Sequence, residues 1–410
     1  MPERRSNIAC FAALAITAAG CNAILDNPEG LLVSDADGEA PDVDGTPRDA
    51  AGAAATQPDA TQPDASGGPD GAPHDAAPDV AQETGPGVVN CSTGGSCTPV
   101  HVATAASTQT IVSLAVADPY LYFLVNDSSL SASLVYRVST GGGSPEELSL
   151  PMPAQDSKGS ALQMIVTDGS YVYGIAGGDN IVSRMSAVGG NFADFATTNG
   201  VEYVAWLRAN STSLVLGAGL SSNYIESVSR SAGGAAARIV TSLTVSPGNF
   251  EVDDAYVYFL SSTGSAISRI PVGGGGTSSV ATADSGESIG RLAPAGSQMF
   301  FSSSTRVGVA PTGGGNASTV DPGGAAFGLV ADGSRILFFR PNGVTDASAP
   351  CASGALLYSI PIAGGARVHA ATEPAVGGGG CPSNVVNDAT AVYWVTGDGV
   401  HIEQMPKTGL

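Results

Sequence analysis

From about residue 100 onward, apolar and polar positions change over in short bursts, and the bursts recur. Each unit opens with an apolar strand that closes near an Asp, then a tight turn and an aromatic strand. A looser strand follows, running into a Gly-Gly turn and a short fourth strand. The aromatic strands include Tyr120-Leu121-Tyr122-Phe123, Tyr171-Val172-Tyr173, Tyr256-Val257-Tyr258-Phe259, Met299-Phe300-Phe301 and Val392-Tyr393-Trp394. Leu214-Val215-Leu216 and Ile336-Leu337-Phe338 are degenerate copies. Anchors at Tyr122, Tyr173, Val215, Tyr258, Phe300, Leu337 and Tyr393 are spaced by 51, 42, 43, 42, 37 and 56 residues. The mean, about 45, matches the roughly 40–45 residues of a four-stranded propeller blade.

The pattern therefore predicts an all-β, seven-bladed propeller; a six-bladed ring with one irregular repeat is the alternative, because the third unit is degenerate. The seventh unit ends at His401–Pro406 with a stub of its Gly turn and has no fourth strand. A spare strand, Val100–Thr104, lies ahead of the first unit. Pairing the two closes the ring and removes two exposed sheet edges.

Ahead of the repeat the composition changes. Arg4 and Arg5 precede a short apolar run, Ile8 to Ala19, which ends in Ala18-Ala19-Gly20-Cys21. The run is too short to span a ~30 Å hydrocarbon layer as a helix and reads as a signal peptide over residues 1–20. Its end resembles the lipobox of bacterial lipoproteins, which implies lipidation of Cys21, stable anchoring in a bilayer and an outer-membrane address. Residues 21–90 contain no Phe, Tyr or Trp and repeat Thr-Gln-Pro-Asp-Ala in tandem at 56–65. Their fourteen acids stand against Arg48, so they carry most of the formal charge of −21. So acidic and so weakly apolar a segment cannot offset its ordering entropy and reads as an extended tether. The propeller is then residues 91–410.

The strand pattern of Tyr-Val-Tyr-Phe, then Ile267-Ser268-Arg269-Ile270-Pro271, then Gly-Gly, resembles the repeat of bacterial envelope lipoprotein propellers, abundant in myxobacteria and distantly similar to YWTD propellers. The resemblance implies the fold over about 100–410 and is nearly silent on activity.

Charge excludes some functions. A chain at −21 lacks the clustered Lys and Arg that nucleic acid or anionic lipid requires. With Cys10 in the signal and Cys21 acylated, Cys91, Cys97, Cys351 and Cys381 remain, with three possible pairings. Loops between second and third strands share a face with the connections between blades, and Cys351 and Cys381 fall there; Cys91 and Cys97 precede the closing strand on the opposite face. The expected bridges are Cys91–Cys97 and Cys351–Cys381.

Catalytic signatures are missing: no Gly-x-Ser-x-Gly, His-Glu-x-x-His or phosphate-loop pattern occurs. The glycine runs at 273–276 and 377–380 read as turns. Asp118, Asp168, Asp253, Asp332 and Asp388 recur where an Asp caps a tight turn. His101 and His401 fall on strands expected to pair, out of register with each other. No cofactor, metal site or catalytic residue is predicted. The expected function is a membrane-anchored, monomeric binding or scaffold module for a protein or glycan. The alternative class is a propeller enzyme: a lyase, hydrolase or quinone-dependent dehydrogenase with its site in the funnel. The longest intervals between anchors fall in units six and one, which makes Arg340, Asn342, Asp346, Asp156 and Lys158 the candidate partner-binding rim.

Overall fold

Runs of β-branched and aromatic residues separated by Gly, Asp and Ser turns dictate short antiparallel strands. In the structure, a computed structural model, these are the only regular elements among the described residues, which are 98–149, 152–153, 162–176, 180–198, 204–218, 223–243, 250–261, 263–343, 350–375 and 380–408. They form seven sheets of four principal strands. Blade 1 comprises Gln109–Ala117, Tyr120–Asp127, Ala132–Ser139 and Glu146–Glu147; blade 2 comprises Leu162–Thr167, Tyr171–Ala176, Ile181–Ser186 and Ala193–Thr197. The degenerate third unit builds its own complete blade, Val204–Ala209, Ser213–Ala218, Asn223–Ser229 and Ala237–Leu243, which rules out six blades. Blades 4, 5 and 6 begin at Phe250, Ile289 and Phe327 and end at Thr282, Asp321 and Glu373.

Blade 7 joins the two ends of the repeat region. Ser383–Asn387, Ala391–Val395 and His401–Pro406 are completed by Val100–Thr104, which pairs antiparallel with the last strand, Thr104 opposite His401. Each first strand lies against the first strand of the next blade, and that of blade 7 returns to blade 1, so the seven innermost strands encircle one axis.

The apolar core is divided the same way. Seven separate clusters of buried side chains lie one between each neighbouring pair of blades. The aromatic strands sit mid-blade and are buried on both sides, which explains their unbroken apolar runs. In blade 1, Leu121, Phe123 and Val125 pack toward blade 7, while Tyr122 and Leu124 pack toward blade 2. Full burial of such a side chain contributes on the order of 2 kcal/mol. The cluster between blades 7 and 1 includes Val102 and Ala103 of the closing strand, so closure is held by packing as well as by pairing.

Up-and-down topology gives the ring two different faces. One, the turn face, carries the hairpins between first and second strands and the Gly-Gly turns. Thr140, Ala187, Arg230, Val272, Thr312, Ile362 and Lys407, each just after a third strand, donate their N–H groups to a carbonyl of the first hairpin turn of the same blade. The same bond recurs in all seven blades. The other, the connection face, carries the loops between second and third strands and the crossings between blades. There Cys351 and Cys381 are joined, 30 residues apart with Cα atoms 5.0 Å apart, as the topology predicts. A loop of that length gives a stabilisation of about 3–4 kcal/mol in the chain-entropy account. Gly354 in the same loop has φ +88° and lies against the Glu373 carbonyl, so no side chain fits there. Cys91 and Cys97 lie outside the described residues.

Candidate functional site

The recurring aspartates are accounted for by the turns they close. Oδ1 of Asp168, Asp253 and Asp388 accepts two backbone N–H bonds from the residues two and three positions on, at 2.6–2.8 Å. Oδ2 accepts the phenol of the anchor tyrosine five residues on: Tyr173 at 2.8 Å, Tyr258 at 2.7 Å and Tyr393 at 2.9 Å. Burial raises the pKa of Tyr258 and Tyr393, and the carboxylate they face raises it further. Where the anchor loses its hydroxyl, the cap changes with it. Blade 3, with Val215, uses Asn210; blade 5, with Phe300, has Ala295; blade 6, with Leu337, keeps Asp332 and turns its free oxygen to Lys407 of blade 7 at 2.7 Å. Burial works to raise the Asp332 pKa, but Lys407 and the turn N–H groups hold it at about 2. Asp118 departs from the expectation. Ala117 occupies the cap position, paired with Tyr120, and Asp118 is a turn residue in a cis bond to Pro119.

The connection face uses its charges as inter-blade latches, with no common design. Asp321 ends the outer strand of blade 5 and pairs with Arg340 of blade 6 at 2.8 Å, both nearly fully buried; Arg367 adds a second contact at 3.0 Å. Arg340 also donates to the Gly324 and Ala325 carbonyls. The rim arginine proposed from spacing is thus consumed inside the fold. Asn342 is partly exposed, its N–H bonded to the Gly354 carbonyl; Asp346, Asp156 and Lys158 lie outside the described residues. Glu287 accepts Arg306 through both oxygens and takes hydroxyls from Ser303 and Thr305. Burial pushes its pKa upward, yet these donors hold it at about 2. Glu373 accepts the Trp394 indole N–H at 3.0 Å, while its second oxygen is buried with no partner among the described residues. Burial lifts its pKa to about 7, against the indole hydrogen bond and helped by Glu403 and Asp398.

His101 and His401 approach edge-to-face at 5.7 Å although their positions are not cross-strand partners. His101 contacts Glu403 at 3.2 Å and His401 contacts Asp398 at 2.9 Å. Among the described residues no group of three His, Cys, Asp or Glu is arranged to hold a metal ion.

Around the axis the first strands bring charge together once. Arg208 of blade 3 binds Glu251 of blade 4 bidentately at 2.9–3.0 Å, and Arg291 of blade 5 lies within electrostatic reach of both. The individual strands look unremarkable in sequence; the packing of neighbouring blades places Arg208 and Glu251 side by side.

No family model matches the chain, and no curated protein does. Solved structures do. A catalytically inactive virginiamycin B lyase from Staphylococcus aureus, with quinupristin, superposes with a TM-score of 0.55 at 9% identity, covering 75% of this chain and 98% of that one. YCF48 bound to D1 peptide gives 0.53 at 11% identity, covering 75% and 96%. YCF48 from Cyanidioschyzon merolae gives 0.52 at 10%, covering 75% and 98%. Identities this low establish the β-propeller fold alone.

Proposed function

We propose that the chain is an envelope lipoprotein: residues 1–20 are removed, acylated Cys21 enters the outer membrane, residues 21–90 tether, and the propeller of 91–410 works as a monomeric, non-enzymatic binding scaffold. One observation carries the scaffold reading. The conspicuous carboxylates of the propeller are spent on turn caps, on the Glu287–Arg306 loop pair and on an inter-blade latch, which stabilise a platform and leave no acid–base pair assembled at the axis among the described residues. Propellers of this fold include a lyase and a peptide-bound protein, so fold supports neither reading over the other. A protein or glycan partner would dock on the connection face at Asn342, together with Asp346, Asp156 and Lys158, which lie outside the described residues and are nominated by the long anchor spacings alone. Arg340 holds blade 6 to blade 5 and serves that face indirectly.

Two measurements test this. Cys21→Ser should move the folded protein from the membrane to the soluble fraction; retention would refute the anchor. A photo-crosslinker at Asn342 or Asp346 should capture one envelope component in cells, and the same group at Gly313 on the turn face should not. Equal capture from both faces, or none from the first, would refute the docking face.

A further inference from the structure

The loop that leaves the second strand of blade 6 opens with Asn342-Gly343, the sole asparagine followed by glycine among the described residues. Pro341 ends the strand, and the Asn342 N–H donates to the Gly354 carbonyl at 3.0 Å, which fixes the backbone where the loop begins. Beyond that bond the pair is free. Among the described residues neither the Asn342 side-chain amide nor the Gly343 N–H has a hydrogen-bond partner. Asn342 is partly exposed and Gly343 exposed, with φ +95° and open space where a Cβ would stand.

Comparable positions are tied down. Asp168, Asp332 and Asp398 also precede glycine, but each carboxylate accepts backbone N–H groups. The N–H groups of Gly169 and Gly399 are also spent, on the Thr167 hydroxyl and the Thr396 carbonyl. The side chains of Asn126, Asn210 and Asn387 are hydrogen-bonded, and each is followed by a residue with a side chain of its own. Asn342 alone combines an unbonded amide, an unbonded nucleophile and no side chain to shield it.

We infer that Asn342 is a site of spontaneous deamidation, which places a carboxylate on the connection face beside the disulfide loop. The Gly343 nitrogen, having lost its proton to solvent, attacks Cγ of Asn342; the Cγ–N bond breaks and ammonia leaves, giving a cyclic imide. Water then opens the ring. Attack at the side-chain carbonyl yields aspartate, and attack at the main-chain carbonyl yields isoaspartate. The net exchange consumes one water and releases one ammonia, and no other reactant is needed. Glycine leaves the nitrogen uncrowded and the backbone free to bend into the ring. The product is negatively charged where the amide was neutral.

The test follows the mass of one peptide. The full chain is kept folded at mildly alkaline pH, then reduced and digested with trypsin. Cleavage after Arg335 and Arg367 releases 336–367, in which Asn342 is the sole asparagine and no glutamine occurs. This peptide should gain the mass of an amide-to-acid exchange and become a substrate for isoaspartyl methyltransferase. Peptide 307–335 is the internal control: its sole asparagine, the exposed Asn316, precedes alanine and should convert at least about tenfold more slowly. Gly343→Ala should slow conversion by about tenfold as well. Because alanine is strained at that φ, Asn342→Gln is the second variant; it leaves the glycine in place and should abolish the gain. The inference is overturned if 336–367 keeps its mass in the folded chain, if it converts no faster than 307–335, or if Asn342→Gln shows the same gain. The isolated chain suffices for every arm, so failure here is separable from failure of the docking face.

Discussion

The two faces of the ring solve the same problem differently. On the turn face, one device is copied around the circle: an Asp or Asn closes the first hairpin, an anchor tyrosine reaches back to it, and the residue after the third strand ties the hairpin down. On the connection face every junction is different. Blades 5 and 6 are joined by a buried Asp321–Arg340 pair, and blades 6 and 7 by a disulfide and the Glu373–Trp394 bond. Repeated local devices contribute little each and are interchangeable. Unique long-range latches are desolvated and depend on both partners, so losing one partner costs more. The difference also separates what can diverge: blade 5 dispenses with its cap where the anchor is Phe300, whereas removing Asp321 would strand two arginines.

The largest effect should come from breaking a latch. Asp321→Ala leaves Arg340 buried with two carbonyls and the Phe338 ring but no counter-charge, and should cost about 3–5 kcal/mol in denaturant unfolding. A loss below that of a turn cap would erase the contrast between the faces.

Glu373 should give the next largest effect, and it depends on pH. Its folded pKa, about 7, lies above that of an unfolded glutamate. The folded state therefore keeps its proton longer, and stability falls as pH rises from about 4.5 to 7, by about 3 kcal/mol in total. Glu373→Gln should flatten this part of the profile. Below it, Glu287 and Asp332, held at about 2, act in the opposite sense: their stabilisation is lost as pH falls from about 4 toward 2. Melting curves from pH 3 to 8 check both signs, and an unchanged slope between 5 and 7 in the Gln variant would reject the Glu373 assignment.

The smallest effects belong to the turn face. Asp253→Ala removes two N–H bonds and the Tyr258 phenol's partner, and should cost about 2 kcal/mol. Ala295→Asp, which supplies the cap that blade 5 lacks, should gain about 0.5–1 kcal/mol. If the new Asp destabilises blade 5, the turns are less interchangeable than their shared bonding suggests.

What was legible in the sequence follows the same division. A cap, its turn and its tyrosine lie within six residues, so their spacing alone exposed the repeat and the blade. The closing strand was legible too, because a unit lacking one strand and a spare strand are complementary by count. The Cys351–Cys381 bridge followed because the direction of each strand assigns its loops to a face. Asp118 was misplaced by one position: it lies four residues before Tyr122, whereas each cap lies five before its anchor, and Ala117 holds that place in blade 1.

Arg340 shows where sequence reasoning ended. It stands beside a long loop, which suggested a rim, but Asp321 is 19 residues away on another blade and takes it inward. The Arg208–Glu251 pair shows the same limit: nothing local marks either residue, and their bond arises from the first strands of two blades meeting at the axis. Sequence by itself determined the blade and the way the ring closes, because these rest on short-range periodicity and strand counting; the complete third blade of the structure decided for seven over six. Tertiary structure alone decided which charges are spent and which remain available, because pairing and desolvation depend on neighbours brought together by ring closure from far along the chain.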